Sequence, residues 1–471
     1  MTVPLKRFPF WVTVIGVLCA SPLSARADDV VLHWDDIAVR IMTTQPLVVT
    51  TPATPVSSPF AQARFAAIVQ LAVFEAVNAT SGNPYAPYLG SPVAPGGPIV
   101  APLGASADAA AVAAAHAVLV DIFKNNPTVV SSLNAERDTS LAAIPNGAPK
   151  TSGIMTGQAA AAALIALRAS DGSSPLTFYH PPSPLALGEW DATLPPLGNC
   201  GADASGNPLG GILYNWPNVK PFGIVQPDAP AHWTDDFLPK APPDITSNQY
   251  AKDYNDVKRI GSWASTERPD DRTLVARFYA AQSTTAFSHQ VARQLAAARG
   301  DSMVKNARTL ALMSMATNDA FAASFATKYH YLLWRPVTAI RTKDFFNKHK
   351  VESDPDWVPL IPTPCFPSYP SNHASGSNAA LEVLRRTFGA AGFSVLITGT
   401  VPALTVPGVG SLPSPGVVTL HYSKLKDISN DIDDARVYGG IHYWFDQEAG
   451  LKLGVDVAKA TIKGNLQGAD D

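Results

Sequence analysis

Residues 306–333 read NARTLALMSMATNDAFAASFATKYHYLL, a run with no Pro or Gly in which apolar side chains recur at three- and four-residue spacing. Ala is the strongest helix former, with Leu and Met close behind, and side chains three and four apart share one helical face. The spacing therefore predicts a long helix with a buried stripe. The same pattern recurs at 62–78, 107–123, 156–169, 271–299, 375–388 and 446–463, whereas strand signals are weak everywhere. The expected fold class is all-α, with helical bundles joined by long Pro/Gly-rich loops.

Those loops are rich in Pro, Gly and Thr and fall at 43–59, 84–102, 172–243 and 398–415. The third far exceeds an ordinary helix connection, and loops of that size are functional or disordered. It offers the natural division of the chain into an N-terminal helical region, 28–250, and a C-terminal helical region, 251–471, that holds most of the informative chemistry. No short repeat is present.

At the start of the chain Lys6 and Arg7 precede the apolar run 8–20, and Ala25-Arg26-Ala27 presents small residues to a signal peptidase. Residues 1–27 are thus expected to be a signal peptide, cleaved near Ala27, which makes the protein periplasmic or extracellular. The apolar run is roughly 13 residues against the ~20 that span a bilayer, so no stable membrane span is expected. The formal charge of −3 becomes more acidic once Lys6, Arg7 and Arg26 are removed. That balance argues against a nucleic-acid partner, which needs a basic face. Cys19 leaves with the leader, and Cys200 and Cys365 remain. An exported context permits a bridge between them; two isolated thiols is the plainer reading.

Three motifs carry chemistry. Lys328 and Arg335 are seven apart at the end of the long helix, on one face, and Pro336 stops the helix beyond them. Phe366-Pro-Ser-Tyr-Pro-Ser371-Asn372-His373 then leads into a new helix, where free backbone N–H groups and the helix dipole favour an anion. The plain alternative is that Ser371 is an ordinary N-cap and His373 a surface residue. Finally, in Arg436-Val-Tyr-Gly-Gly-Ile-His442-Tyr-Trp-Phe-Asp446 the carboxylate, four residues on, is placed to accept one imidazole N–H. Asp446 equally suits a helix cap. Together the motifs offer three permanent cations, a hydroxyl and two histidines, the set a buried tetrahedral oxyanion requires.

Lys-x6-Arg-Pro, Pro-Ser-x-His and Arg-x5-His, in this order, resemble the signature of the vanadium-dependent haloperoxidases and the type 2 phosphatidic acid phosphatase superfamily. The resemblance covers roughly 306–450, and residues 34–78 look like the N-terminal region of bacterial haloperoxidase-like members. It implies two four-helix-bundle halves and a vanadate cofactor, with phosphate able to take the same site. His442 would be the vanadate ligand, and Lys328, Arg335, Ser371, Arg436 and the backbone N–H of Asn372 would hold its oxygens. His373 would move protons and Lys328 polarise bound peroxide, with hydrogen peroxide and halide as substrates.

In the phosphatase branch His442 would attack the phosphorus of a phosphate ester and His373 would protonate the leaving alcohol. Phe366 falls where chloroperoxidase-type members carry Phe, and Phe325 occupies a place often aromatic in the family. Both tilt the reading toward halide oxidation, although either ring equally suits plain core. Ala435 replaces the common Ser, a minor departure, whereas Asn372 stands where Gly is usual and prompts a third reading, a non-catalytic oxyanion-binding protein. His289, Asp319, His330 and His421 lie near the motifs and carry no assigned role.

Overall fold

A computed structural model describes residues 29–44, 58–224, 234–343 and 351–468. The expected leader and its cleavage position lie outside these residues. The N-terminal half contains α1 (Val30–Thr44), α2 (Pro59–Thr80), α3 (Ala107–Ile122), α4 (Pro127–Ala142) and α5 (Ala148–Arg168). The C-terminal half contains α6 (Asn248–Ile260), α7 (Asp270–Ala281), α8 (Thr284–Arg299), α9 (Met303–Tyr331), α10 (Pro336–Arg341), α11 (Asn372–Phe388), α12 (Leu425–Tyr438) and α13 (Trp444–Gly464).

The protein is mainly helical, as expected. Helices α2, α3 and α5 pack on one another, α11 lies against α8, α9 and α13, and α2 against α9 joins the two sets. One hydrophobic core draws on both halves, from Val31 to Leu466. The expected division at 250 falls inside α6. Helix α2 is long and apolar enough to cross a membrane, yet nearly all of it is buried in this core.

Two expectations are corrected. The run 271–299 is two helices, because the backbone turns extended at Gln282, ending the first, and Ser283 caps the second, its Oγ accepting from the Ala286 N–H at 3.1 Å. The stretch 398–415, expected as loop, belongs largely to strands. β1 (Ala391–Val401) pairs antiparallel with β4 (Gly416–Lys424), and β2 (Leu404–Val406) pairs with β3 (Gly410–Leu412) between them. Val395, Ile397 and Val401 are buried along β1, the alternation of a strand with one face on a core.

Two contacts position the site. Helices α11 and α13 approach so closely that a Cβ on Gly454 would lie 2.0 Å from the Ser375 carbonyl oxygen. Their N-termini consequently meet, and the Ser371 N–H donates to the Asp446 carbonyl at 2.9 Å. The long loop after α5 turns back over the C-terminal half through single bridges of Glu189 to Leu333 and Gly198 to Thr363. It is fixed there by a disulfide between Cys200 and Cys365, which overturns the reading of two isolated thiols.

Candidate active site

The three motifs, more than one hundred residues apart at their extremes, converge on one buried pocket. Helix α9 ends at Tyr331, with Lys328 fully buried in its last turn and Arg335 fully buried just before α10. Ser371 is the N-cap of α11, its Oγ accepting from the Ala374 N–H at 3.3 Å. The N-cap reading of Ser371 thus holds, and its neighbour His373 is a wall of the cavity rather than an exposed residue. Arg436 lies in the last turn of α12, and His442 sits two residues before α13. Gly440, at φ +79°, makes the turn between them, where its Cα packs against the Gly261 backbone.

Asp446 performs both tasks considered for it. Its Oδ2 lies 2.7 Å from His442 Nδ1 and accepts the Tyr443 N–H at 3.1 Å, capping α13. Ser368 Oγ donates to the same oxygen at 2.6 Å. On the far side of the imidazole, Arg335 Nη1 is 3.0 Å from Nε2. A guanidinium only donates, so Nε2 carries the lone pair and Nδ1 the proton. The ring is held in the tautomer that points its basic nitrogen into the pocket.

The cations differ in what remains free. Lys328 Nζ donates to the carbonyls of Pro367 at 2.7 Å, Ser368 at 2.8 Å and Pro370 at 2.5 Å, which uses all three of its N–H groups. It ties the turn before α11 to α9 and lends the pocket its charge. Arg335 donates through Nε to Phe366 O and through Nη1 to Ile441 O, both at 2.8 Å, but Nη2 has no partner. Arg436 leaves Nε and Nη1 unpartnered, and His373 Nε2 is likewise buried without a partner.

Asn372 turns its Oδ1 to Ser324 Oγ, which donates at 2.5 Å, and its Nδ2 is also buried and unpartnered. Asn372, His373, Arg436 and His442 line one cavity. Buried donors without acceptors are rare and costly, so this cluster is a cradle for an acceptor-rich group. A tetrahedral oxyanion such as vanadate or phosphate fits it.

The electrostatics agree. Burial brings Arg335 down to about 9 and Arg436 down to about 10. Burial, then the Arg335 charge, holds Lys328 well below its usual value. Burial first and neighbouring cations second hold His373 and His442 well below the usual imidazole range, so both are neutral bases. Burial pushes Asp446 up to about 6 despite the Ser368 hydrogen bond. A bound anion would relieve the repulsion on every cation.

The aromatic residues separate. Phe366 lines the cavity, with Lys328 Nζ 5.1 Å and the Arg335 guanidinium carbon 5.0 Å from its ring centre. Phe325 is fully buried behind it, packed against Phe366 and Phe60. His289 and Asp319 are structural. His289 Nδ1 lies 2.6 Å from Asp35, and Asp319 accepts the N–H groups of Phe222 and Gly223. His330 and His421 are exposed.

Ser368 and Ser324 went unassigned in the sequence. Ser368 stands within the quoted Phe-Pro-Ser-Tyr-Pro-Ser motif, while nothing in the sequence of α9 marks Ser324.

The family model of the vanadium chloroperoxidase second helical-bundle domain matches residues 308–468, the stretch that contains all three motifs. These residues form a second helical bundle of the vanadium chloroperoxidase type. The chain is 26% identical over 264 residues to the vanadium chloroperoxidase of Curvularia inaequalis, a match covering 44% of this chain and 43% of that protein, less than half the length of either.

The fold is that of two bacterial enzymes. One is described as the first bacterial vanadium-dependent iodoperoxidase, with a TM-score of 0.68 at 22% identity, covering 93% of this chain and 96% of that one. The other is a holo-type bacterial vanadium-dependent chloroperoxidase, with a TM-score of 0.63 at 18% identity, covering 90% and 96%. Residues 308–468 are thus similar to the second helical-bundle domain of the vanadium chloroperoxidases, and this stretch carries the candidate site.

Proposed function

We propose that this protein is a vanadate-dependent haloperoxidase that converts hydrogen peroxide, halide and a proton into hypohalous acid and water. The observation that carries the reading is the set of buried, unpartnered donors on Arg436 and Asn372 in the cavity that His442 lines, with a further one on Arg335, whose Nη1 touches His442 Nε2. Arg335, Arg436, Asn372 and the α11 N-terminus would hold vanadate, with His442 Nε2 as its ligand. Bound vanadate supplies a Lewis-acidic centre that activates peroxide toward halide without changing its own oxidation state.

The protein does the rest. Asp446 keeps the proton on His442 Nδ1, so the lone pair stays on Nε2, where an entering anion would take the place of the Arg335 Nη1 contact. Arg335 and Arg436 balance the anion's charge, and Lys328 adds positive potential from behind the turn that carries Ser371. His373 Nε2, neutral and unpartnered, takes a proton from an entering hydroxyl or peroxide and returns it to the departing oxygen.

The same donors suit the phosphoryl group of an ester, which is the second reading: His442 Nε2 attacks phosphorus and His373 protonates the alcohol. One preparation decides between them, assayed vanadate-loaded for peroxide-dependent bromide, iodide and chloride oxidation and vanadate-free for phosphate release. Halide oxidation that His442→Ala abolishes supports the proposal. Phosphate release with a trapped phosphohistidine supports the second reading, and tight anion binding without turnover in either assay would leave a binding protein. The Cys200–Cys365 bridge supports export, since disulfides persist in oxidising compartments.

A further inference from the structure

Away from the cradle, helices α6, α12 and α13 enclose a second cavity of about 400 Å³. Trp444, Gln447 and Glu448 share one face of α13 through their i, i+3 and i+4 spacing. Asp433 and Asp434 meet them from α12, and Asp253 from α6. Asp253 and Gln447 are buried, Asp433, Asp434 and Trp444 are half-buried, and Glu448 is exposed. The space therefore runs from a closed floor to an open rim, and it is acidic throughout.

Some of its polar groups are already answered. Asp434 Oδ2 accepts from Arg272 Nη1 at 2.8 Å. Asp253 accepts the Phe445 N–H at 3.0 Å and Gln249 Nε2 at 3.1 Å. Lys252, a cation that also lines the cavity, bonds Asp256 at 3.0 Å and stays 3.6 Å from Asp253. Asp433 Oδ1, in contrast, is buried without a partner, and Gln447, 1% exposed, leaves both Oε1 and Nε2 without one. A carboxamide this deep with neither atom hydrogen-bonded is costly, and a ligand that carries both a donor and an acceptor relieves the cost. Burial, opposed by Lys426 and reinforced by the Asp434 and Glu448 charges, pushes Asp433 up to about 7. A cation beside it would favour the ionised form.

The ligand's chemistry follows from what is left. Among the described residues no three His, Cys, Asp or Glu side chains are grouped to hold a metal ion, which points to an organic cation. A guanidinium brings five N–H donors for Asp433, Gln447 and Glu448, is weakly hydrated and stacks on an indole such as Trp444, whereas an ammonium is compact, strongly hydrated and has three donors. The Gln447 amide N–H groups require an oxygen acceptor, and in an acidic cavity a neutral carbonyl meets less repulsion than a carboxylate.

We propose that the cavity between α6, α12 and α13 binds a guanidinium compound carrying a neutral carbonyl, its cation between Asp433 and Glu448 against Trp444 and its carbonyl on the Gln447 amide. The site is independent of which reaction the cradle performs. A free arginine amide and an arginine within a peptide share this chemistry.

The probe is N-acetylarginine amide. Calorimetry is expected to show saturable one-to-one binding, about tenfold or more tighter than that of N-acetyllysine amide. Glu448→Gln, at an exposed position where folding is not at stake, and Gln447→Met should each weaken it about tenfold or more. Gln447→Met should do so while keeping or gaining thermal stability, because it removes an unsatisfied amide; should that variant fail to fold, Glu448→Gln decides alone. A blocked Gly-Gly-Arg-Gly-Gly peptide that binds more tightly than the amide assigns the site to peptide-borne arginine, and equal or weaker binding assigns it to a free compound. Absence of saturable binding, native affinity in either folded variant, or equal affinity for the lysine probe overturns the proposal.

Discussion

Arg64 and Arg168 in the N-terminal half and Arg335 and Arg436 in the C-terminal half are all buried, and their surroundings differ in one respect. The first pair shares a carboxylate: Asp171 Oδ2 lies 2.8 Å from Arg64 Nε and 3.0 Å from Arg168 Nε. Backbone carbonyls of Arg168, Lys220 and Pro221 take further N–H groups, and Arg168 lies over the Phe222 ring at 3.6 Å. The two cations hold Asp171 below the usual carboxylate range against the opposing effect of burial.

Among the described residues the second pair contacts no carboxylate, and it keeps three buried nitrogens without a partner. A complete charge cluster holds a fold together. An incomplete one, maintained at an energetic cost, is where an anion would be bound most favourably.

That contrast can be broken from either side. The largest effect is expected for Asp171→Asn, which strands two buried arginines and should lower unfolding free energy by about 3–5 kcal/mol. Chemical denaturation measures it, and vanadate affinity in the surviving folded protein should be unchanged. Arg436→Leu should do the reverse. Vanadate or phosphate affinity, read by calorimetry, should fall by about 2–3 kcal/mol, while the anion-free protein keeps or gains thermal stability because an unpaired charge has gone.

A third test uses Glu75, a buried carboxylate with no cationic partner, which burial pushes up to about 7 although Tyr88 N–H donates to it at 2.6 Å. Because its native value lies above the ordinary 4.5, the folded state holds a proton that the unfolded chain has released between the two. Its contribution is complete below 4.5 and is lost as pH rises through about 7. Relative to the native chain, Glu75→Gln should therefore gain stability across that window, reaching roughly 2–3 kcal/mol in thermal melts above it. The smallest effect is expected for Asn372→Gly, which removes the amide donor oriented by Ser324 and should weaken anion binding by about 1 kcal/mol.

Much of this contrast was legible in the sequence on one side only. The cradle announces itself because Pro336 and Pro370 end or block helices beside cations and a Ser-x-His, and because His442 and Asp446 are four residues apart. The pairing of His442 with Asp446 needs no helix around the imidazole, since His442 precedes α13 and Asp446 reaches back from its first turn.

What escaped was whatever depends on distant partners. Ser324 is one small residue among many in α9 and acquires meaning only opposite Asn372. The Asp171 cluster joins α2, α5 and the loop after it, with no local pattern. The helix that carries Arg436, α12, has Leu425, Ile428, Ile432 and Ala435 buried at helical spacing, but its many aspartates masked that stripe. In β1 the Gly and Pro content of the following turn outweighed the alternation of Val395, Ile397 and Val401.

Under the haloperoxidase proposal, the bridge between Cys200 and Cys365 has a further consequence. Such a catalyst is the first molecule its own product meets, and thiols are prime targets of oxidants, passing through sulfenic to irreversible sulfinic and sulfonic states. Cys200 and Cys365 are the only cysteines among the described residues, and both lie beside the cavity with their sulfurs already joined. A wall without a thiol would resist that oxidation, so under the same proposal the crosslink that fixes the long loop would also extend the number of turnovers the protein survives.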